Sequence, residues 1–369
     1  MNYTPENVLK IAKRVNNTKR SYLLVNPLQA KHIPVSPKRA LEMMRSLGNM
    51  LYGKYPEAKL VIGFAETATA IGAAACESFT DDCVYIHTTR ESFGGEFVYF
   101  SEEHSHAVEQ KLYASGLDEL IRKTPQIIFI DDELSTGKTL INIAERLKKE
   151  FPCAEEKEFI AASILNRISE ENEARLLCEG IKCEQLVKLP NEDHTVAVEH
   201  IEVEEAEKIT SNGKEKYTVL QCSEKIPNAR MGVKTGYYKR RIKELMRDAV
   251  RSLELPKNAE LLVLGTEECM YPALVFGEIF EEENGGRVLC HSTTRSPIGI
   301  SHAESYPIKS GYKLRSFYES SRETFIYNLG KYENAIVISD SADFSAGAED
   351  LAATLLKNGC GNIFYLGVD

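Results

Sequence analysis

Two adjacent carboxylates, followed closely by hydroxyls and a glycine, mark the stretch of this chain best suited to chemistry. It reads Ile127-Ile128-Phe129-Ile130-Asp131-Asp132-Glu133-Leu134-Ser135-Thr136-Gly137-Lys138-Thr139. The apolar run predicts a buried strand, and the Ser/Thr/Gly turn after it opens a helix. At the C-terminal end of a parallel strand, such a turn gathers hydroxyls and backbone N–H groups around the positive end of a helix, which makes a cradle for phosphate. Asp131 and Asp132 stand just ahead of it, where carboxylates suit ribose hydroxyls or hydrated Mg2+. The Gly-Lys-Thr triplet also invites a P-loop reading. That motif needs a glycine at position 132, where Asp132 stands, and no glycine lies between Gly116 and Gly137. The P-loop is therefore excluded. The bland alternative is an Asp-capped turn before a helix.

The elements that must hold this turn are legible as short, continuous apolar runs. Lys59–Ile62, Cys83–Ile86 and Gln126–Ile130 in the first half, and Leu261–Leu264, Arg287–Cys290 and Ala335–Ile338 in the second, predict strands covered on both faces. Helix-like stretches such as 37–51 and 139–150 separate them, so the class is α/β with a mainly parallel, Rossmann-like sheet. The two halves also repeat one another. Ile33-Pro34-Val35 and Met231-Gly232-Val233 each precede a basic amphipathic helix, followed by LVIGFAET in one half and LLVLGTEE in the other. Thr88-Thr89-Arg90 returns as Thr293-Thr294-Arg295, Ser105-His106-Ala107 as Ser301-His302-Ala303, and IIFIDDELSTG as AIVISDSADFSAG. Five matches in one order, about 200 residues apart, predict an internal duplication. The expected domains are 1–190, an acidic linker or hairpin over 191–226, and 227–369.

Composition limits the class. The chain has 369 residues, 43% apolar and 27% charged, with a net charge of −10 and no Trp. No apolar run approaches the roughly 18 residues of a membrane span, and the polar start lacks an apolar signal segment. Nine scattered cysteines without a CxxC pair argue against a disulfide framework or zinc ribbon and for a reducing cytoplasm. An acidic chain without a basic tract is a poor nucleic-acid binder.

At the acid-pair turn the sequence resembles the type I phosphoribosyltransferases, whose signature is an apolar strand, two acids, a short variable stretch, Thr-Gly and a further Thr. Asp131, Asp132, Thr136, Gly137 and Thr139 match it. Asn26-Pro27, the run from Lys31 to Pro37, GFAETATA and EEHSHA look like the branch found in bacterial tellurite-resistance stress clusters. In that branch a C-terminal domain named for Thr-Arg-Ser-Pro (TRSP) follows, and this chain has Thr294-Arg295-Ser296-Pro297. The resemblance implies two type I phosphoribosyltransferase-like domains, the first catalytic and the second a degenerate copy. It implies phosphoribosyl pyrophosphate (PRPP) as donor, Mg2+ carried on it near Asp131 and Asp132, and an unidentified small-molecule acceptor leading to a nucleoside-like product. No direct metal ligand is expected. The 5-phosphate would lie on Ser135, Thr136, Gly137, Lys138 and Thr139, with the two aspartates facing the ribose hydroxyls. Pyrophosphate would sit on Ala65, Glu66, Thr67 and Ala68, a stretch that reads equally as an ordinary strand-to-helix turn. Residues 88–107 look like the mobile hood of these enzymes, with Arg90 able to reach pyrophosphate and His104 or His106 able to move a proton. Competing readings of the hood are a metal site from Glu103, His104 and His106, or polar surface.

The second copy departs from the signature. Asp340 keeps the first acid, while Ser341 replaces the second, Ala346 precedes Gly347, and Glu349 would repel phosphate. It is expected to serve as a scaffold in a single-chain pseudo-dimer, or to supply Arg295, His291 or His302 to an acceptor pocket at the domain interface. A homodimer is the other assembly considered. Lys38, Arg39, Lys239, Arg240 and Arg241 read as solvated helix faces or, alternatively, as contacts for an anionic acceptor. A PRPP-sensing regulator without turnover is the alternative function. A PRPP-synthetase-like kinase ranks third, since no ATP motif supports it.

Overall fold

All six apolar runs form strands in the computed structural model, which describes residues 3–15, 20–101, 110–211, 213, 215–222, 224–341 and 345–367. In chain order the first strands are β1 (Lys10–Lys13), β2 (Tyr22–Val25), β3 (Leu60–Gly63), β4 (Val84–His87), β5 (Phe97–Phe100) and β6 (Gln110–Tyr113). Then come β7 (Gln126–Leu134), β8 (Glu158–Asn166), β9 (Ile181–Lys188), β10 (Glu207–Lys208), β11 (Thr218–Gln221) and β12 (Val233–Lys234). The last are β13 (Leu261–Gly265), β14 (Val288–Ser292), β15 (Gly311–Arg315), β16 (Glu323–Tyr327), β17 (Asn334–Ile338) and β18 (Asn362–Gly367). Among the described residues no helix is long and apolar enough to cross a membrane.

The chain forms two compact units. The first comprises Glu42–Glu192 and Pro227–Arg240 with Tyr3; the second comprises Thr4–Leu41, Asp193–Ile226 and Arg241–Asp369. In the first unit a six-stranded sheet runs β12-β4-β3-β7-β8-β9, parallel except for β12. Ile127 to Ile130 are fully buried, as a strand covered on both faces requires. The helix Ala68–Ala75 behind β3 is small-residue apart from Ile71 and wholly buried. A side chain at Gly72 would come within 2.7 Å of the Tyr85 ring, so the close helix-to-sheet approach depends on that glycine.

From β3 the chain goes to β4 on one side and returns to β7 on the other, so the strand order reverses at β3. A crevice at the C-terminal ends of the strands flanking such a reversal is where open α/β sheets bind ligands. β7 outlasts its neighbour: pairing with β3 ends at Gly63–Ile130, while pairing with β8 continues to Leu134–Asn166. Asp131 and Asp132 therefore lie within the strand and not beyond it, held by the long β8.

The second unit repeats the order. Its parallel sheet runs β11-β18-β17-β13-β14, so β14, β13, β17 and β18 stand as β4, β3, β7 and β8 do in the first. The place that β9 takes beside β8 is held beside β18 by β11, a strand from the acidic 191–226 stretch. Val233 pairs with Tyr85 on β4 within the first unit, whereas its sequence equivalent Val35 bridges Cys290 on β14 within the second. Leu262, Leu264, Val337, Leu351, Leu355 and Tyr365 form part of the second core.

Candidate active site

Three segments of the first unit meet at the reversal of strand order: the end of β7 with its turn, the loop after β3, and the loop after β4. Asp131 and Asp132 are half-buried, and Asp131 Oδ1 accepts the Asp132 amide N–H at 2.8 Å. Neighbours on a strand send their side chains to opposite faces, so the two carboxylates are not equivalent. Glu133, next along, is bound by Arg167 at the end of β8 at 2.6 Å.

The turn depends on Gly137. Its φ of +76° is left-handed, and a side chain there would come within 2.6 Å of Leu176. Beyond it the helix Lys138–Glu150 buries Leu140, Ile141, Ile143, Ala144 and Leu147 along one face, so its N-terminus is anchored at the strand end. Ser135, Thr136 and Thr139 are half-buried and Lys138 is exposed, while the Lys138 amide donates to Thr136 Oγ1 at 3.4 Å. The hydroxyls and the helix terminus are thus gathered at one place.

The loop after β3 turns tightly. Phe64 packs edge-on against Phe100 and Phe129, and the Thr69 hydroxyl closes onto the Glu66 carbonyl at 3.0 Å. The Ala65–Glu66 peptide is cis. Ala65 is buried, Glu66 and Thr67 are half-buried, and Ala68 starts the following helix. Thr88 reaches this loop from the end of β4: its Oγ1 accepts the Ala65 amide N–H at 2.8 Å. Gln110, at the start of β6, receives the Thr88 hydroxyl proton on Oε1 and donates from Nε2 to the Ala65 carbonyl at 2.8 Å. Arg90 is half-buried two residues beyond Thr88. β5 and β6 form an antiparallel ribbon, the stem of the expected hood. Glu103, His104 and His106 lie outside the described residues, so their expected roles are not located.

The residues present fit Mg2+ carried by a substrate. Asp131 and Asp132 offer hard oxygen donors, and among the described residues no group of three His, Cys, Asp or Glu side chains could hold a metal by itself.

Two family models match in series: the phosphoribosyl transferase model over residues 8–189, and the TRSP domain that lies C-terminal to it over residues 227–355. The chain belongs to this family. The family match supports a phosphoribosyltransferase activity. Among solved structures it is similar to adenine phosphoribosyltransferase from Trypanosoma brucei in complex with AMP, pyrophosphate and ribose-5-phosphate, with 15% identity over 50% of this chain and 77% of that one, at a TM-score of 0.36. The Giardia lamblia enzyme with 9-deazaadenine gives 15% identity, 50% and 95% coverage, and a TM-score of 0.36. The Saccharomyces cerevisiae enzyme gives 13%, 49% and 95%, and 0.32. No curated protein matches the chain.

The TRSP unit builds the same frame and fills it with its own side chains. Thr293 Oγ1 accepts the Glu267 amide N–H at 3.0 Å, as Thr88 does for Ala65. Glu267, fully buried, occupies the loop and is bound by Arg295 at 2.8 Å, Arg322 at 3.3 Å and the Ser316 hydroxyl at 2.6 Å. Arg295 also reaches Glu268 at 3.4 Å. At the acid-pair position Asp340 accepts the Tyr318 hydroxyl at 2.5 Å, and the Ser341 hydroxyl donates to the Phe317 carbonyl at 2.6 Å. Glu349 lies 3.5 Å from Arg315. His291 is buried with Nε2 against the Tyr327 carbonyl at 2.6 Å, and burial lowers its pKa to about 4. His302 is exposed. Sequence reasoning missed Gln110, Arg322 and Tyr318; a lone polar residue in a strand or loop carries no spacing signal.

Proposed function

We propose that the first unit transfers ribose 5-phosphate from PRPP to an unidentified small-molecule nucleophile and releases pyrophosphate. The observation that carries this reading is the acid pair and the Gly137 turn at the reversal of strand order, facing the loop that Thr88 and Gln110 hold. The turn supplies N–H groups, hydroxyls and a helix terminus for the 5-phosphate. The aspartates take the ribose hydroxyls and favour the positive charge that grows on the sugar as the leaving group departs. The loop from Ala65 to Ala68 receives pyrophosphate, and Arg90 extends toward it. Asp131 and Asp132 would stand beside Mg2+ carried on the substrate, which would supply charge neutralisation at the leaving pyrophosphate. His104 or His106 would handle the acceptor proton. No protein nucleophile is required, because positioning and charge stabilisation supply the rate enhancement.

The matching residues of the TRSP-bearing branch support a nucleoside-like product made in a stress setting. All nine cysteines are free, which fits the cytoplasm. In the TRSP unit Glu267 pairs with Arg295 and Arg322, Glu349 pairs with Arg315, and Asp340 and Ser341 are hydrogen-bonded to Tyr318 and Phe317, so we assign it no PRPP site.

The test is pyrophosphate release from PRPP and Mg2+ with pooled heterocyclic and amine acceptors, comparing the wild type with the Asp131→Asn/Asp132→Asn double variant. Release by the wild type alone supports the reading. Tight PRPP binding without release in any pool replaces it with a sensor.

A further inference from the structure

Gln110 does work that neither the acid-pair signature nor the family match assigns. It is 1% exposed, and a buried primary amide must find partners for its donors and acceptor. Two of them lie on the pyrophosphate loop's own support. Nε2 donates to the Ala65 carbonyl at 2.8 Å, and Oε1 accepts from the Thr88 hydroxyl, which itself accepts the Ala65 amide. Both polar groups of one loop residue are thereby fixed from outside the loop, by residues 23 and 45 positions away in the chain.

The chemistry of an anion site explains why this matters. A loop that receives pyrophosphate must present N–H groups and keep carbonyl oxygens turned away, since a carbonyl dipole aimed at phosphate repels it. The Gln110 amide holds the Ala65 carbonyl toward the β5–β6 ribbon. The second unit serves as an internal control. It keeps the threonine-to-loop bond, Thr293 to Glu267, but at the place of Gln110 it has Thr324, whose hydroxyl donates to the backbone carbonyl of Arg315 instead. The brace on the carbonyl is found in the unit that retains the acid pair.

We propose that Gln110 is a positioning residue for the leaving group: it orients the Ala65 carbonyl so that the loop accepts pyrophosphate. This rests on the proposed transferase reading of the same site.

Calorimetric titration with two probes tests it, inorganic pyrophosphate with Mg2+ for the loop and ribose 5-phosphate for the turn. Gln110→Leu is expected to weaken pyrophosphate binding about tenfold, the worth of one well-made buried hydrogen bond. Ribose 5-phosphate affinity should stay within about twofold, because the turn on β7 is untouched. Gln110→Glu keeps the shape and, when ionised, loses the donor. Burial raises the pKa of such a carboxyl, so at about pH 5.5 its O–H replaces the amide donor and pyrophosphate affinity returns toward that of the wild type at the same pH. A packing role alone would give no such recovery. Equal loss for both probes, unchanged pyrophosphate affinity in both variants, or no acid recovery in Gln110→Glu would overturn the proposal. A wild type that binds neither probe nor PRPP would instead overturn the transferase reading beneath it.

Discussion

Thr293 holds the backbone of Glu267, its hydroxyl accepting the amide N–H at 3.0 Å, and the same bond joins Thr88 to Ala65 in the other unit at 2.8 Å. The agreement extends outward. Thr88 and Thr293 each donate their amide to the last glycine of the preceding central strand, Gly63 or Gly265, and Thr89 and Thr294 each bridge a residue of the following β-ribbon. At the position so framed one copy has Ala65, and the other has Glu267, whose carboxylate is held by Arg295 and Arg322. On the proposed reading, that difference separates a loop able to receive pyrophosphate from one closed by internal ion pairs.

Glu267→Gln leaves Arg295 and Arg322 facing a neutral amide in a buried setting. Breaking a buried ion pair in this way costs about 3 kcal/mol. Urea unfolding followed by circular dichroism should show the loss, while PRPP affinity of the variant at low denaturant matches the wild type.

Gly137→Ala forces a left-handed backbone on a residue with a side chain and drives that side chain against Leu176. A loss of about 1–3 kcal/mol is expected, together with weaker ribose 5-phosphate binding. An unchanged melting temperature would show that the turn adapts.

Asp131→Asn and Asp132→Asn should each lower turnover by about 100-fold or more, as removal of transition-state charge stabilisation does. The two carboxylates occupy successive positions at the end of one strand and are not equivalent, so unequal losses are expected. Both carboxylates are only half-buried, and melting temperatures should stay near that of the wild type. Single-variant pyrophosphate-release rates measure the difference.

Chelation should abolish pyrophosphate release and leave the melting temperature of the substrate-free protein unchanged. The metal is expected to arrive with PRPP, with the Asp131 and Asp132 oxygens as donors near it. A melting shift on adding Mg2+ to the substrate-free protein would contradict this.

His291 makes the second unit acid-sensitive. Its folded pKa of about 4 lies below the unfolded value of about 6.5. The unfolded chain therefore binds the proton first, and stability falls as pH drops from about 6.5 toward 4. His291→Asn should flatten that part of the stability–pH curve measured by denaturant midpoint.

Much of the frame was legible before any coordinates. Ile127 to Ile130 and Leu261 to Leu264 are continuous apolar runs, and such runs specify covered parallel strands through local hydrophobicity alone. Gly137 after Ser135-Thr136 announced the turn, because only certain residues take that backbone shape. The repeated Thr-Thr-Arg pointed to a duplicated scaffold, and the threonines of both copies make the same bonds.

Sequence alone determined the strands, the acid pair and the Gly137 turn, each written in a few consecutive residues. Tertiary structure decided that β7 runs on past β3, that β11 joins β18, that Glu267 captures Arg295, and that Gln110 braces Ala65. The physical reason is range. Hydrophobic period and turn chemistry act between neighbours. A hydrogen bond spanning 45 positions or an ion pair spanning 28 forms only after the sheet has brought distant segments into register.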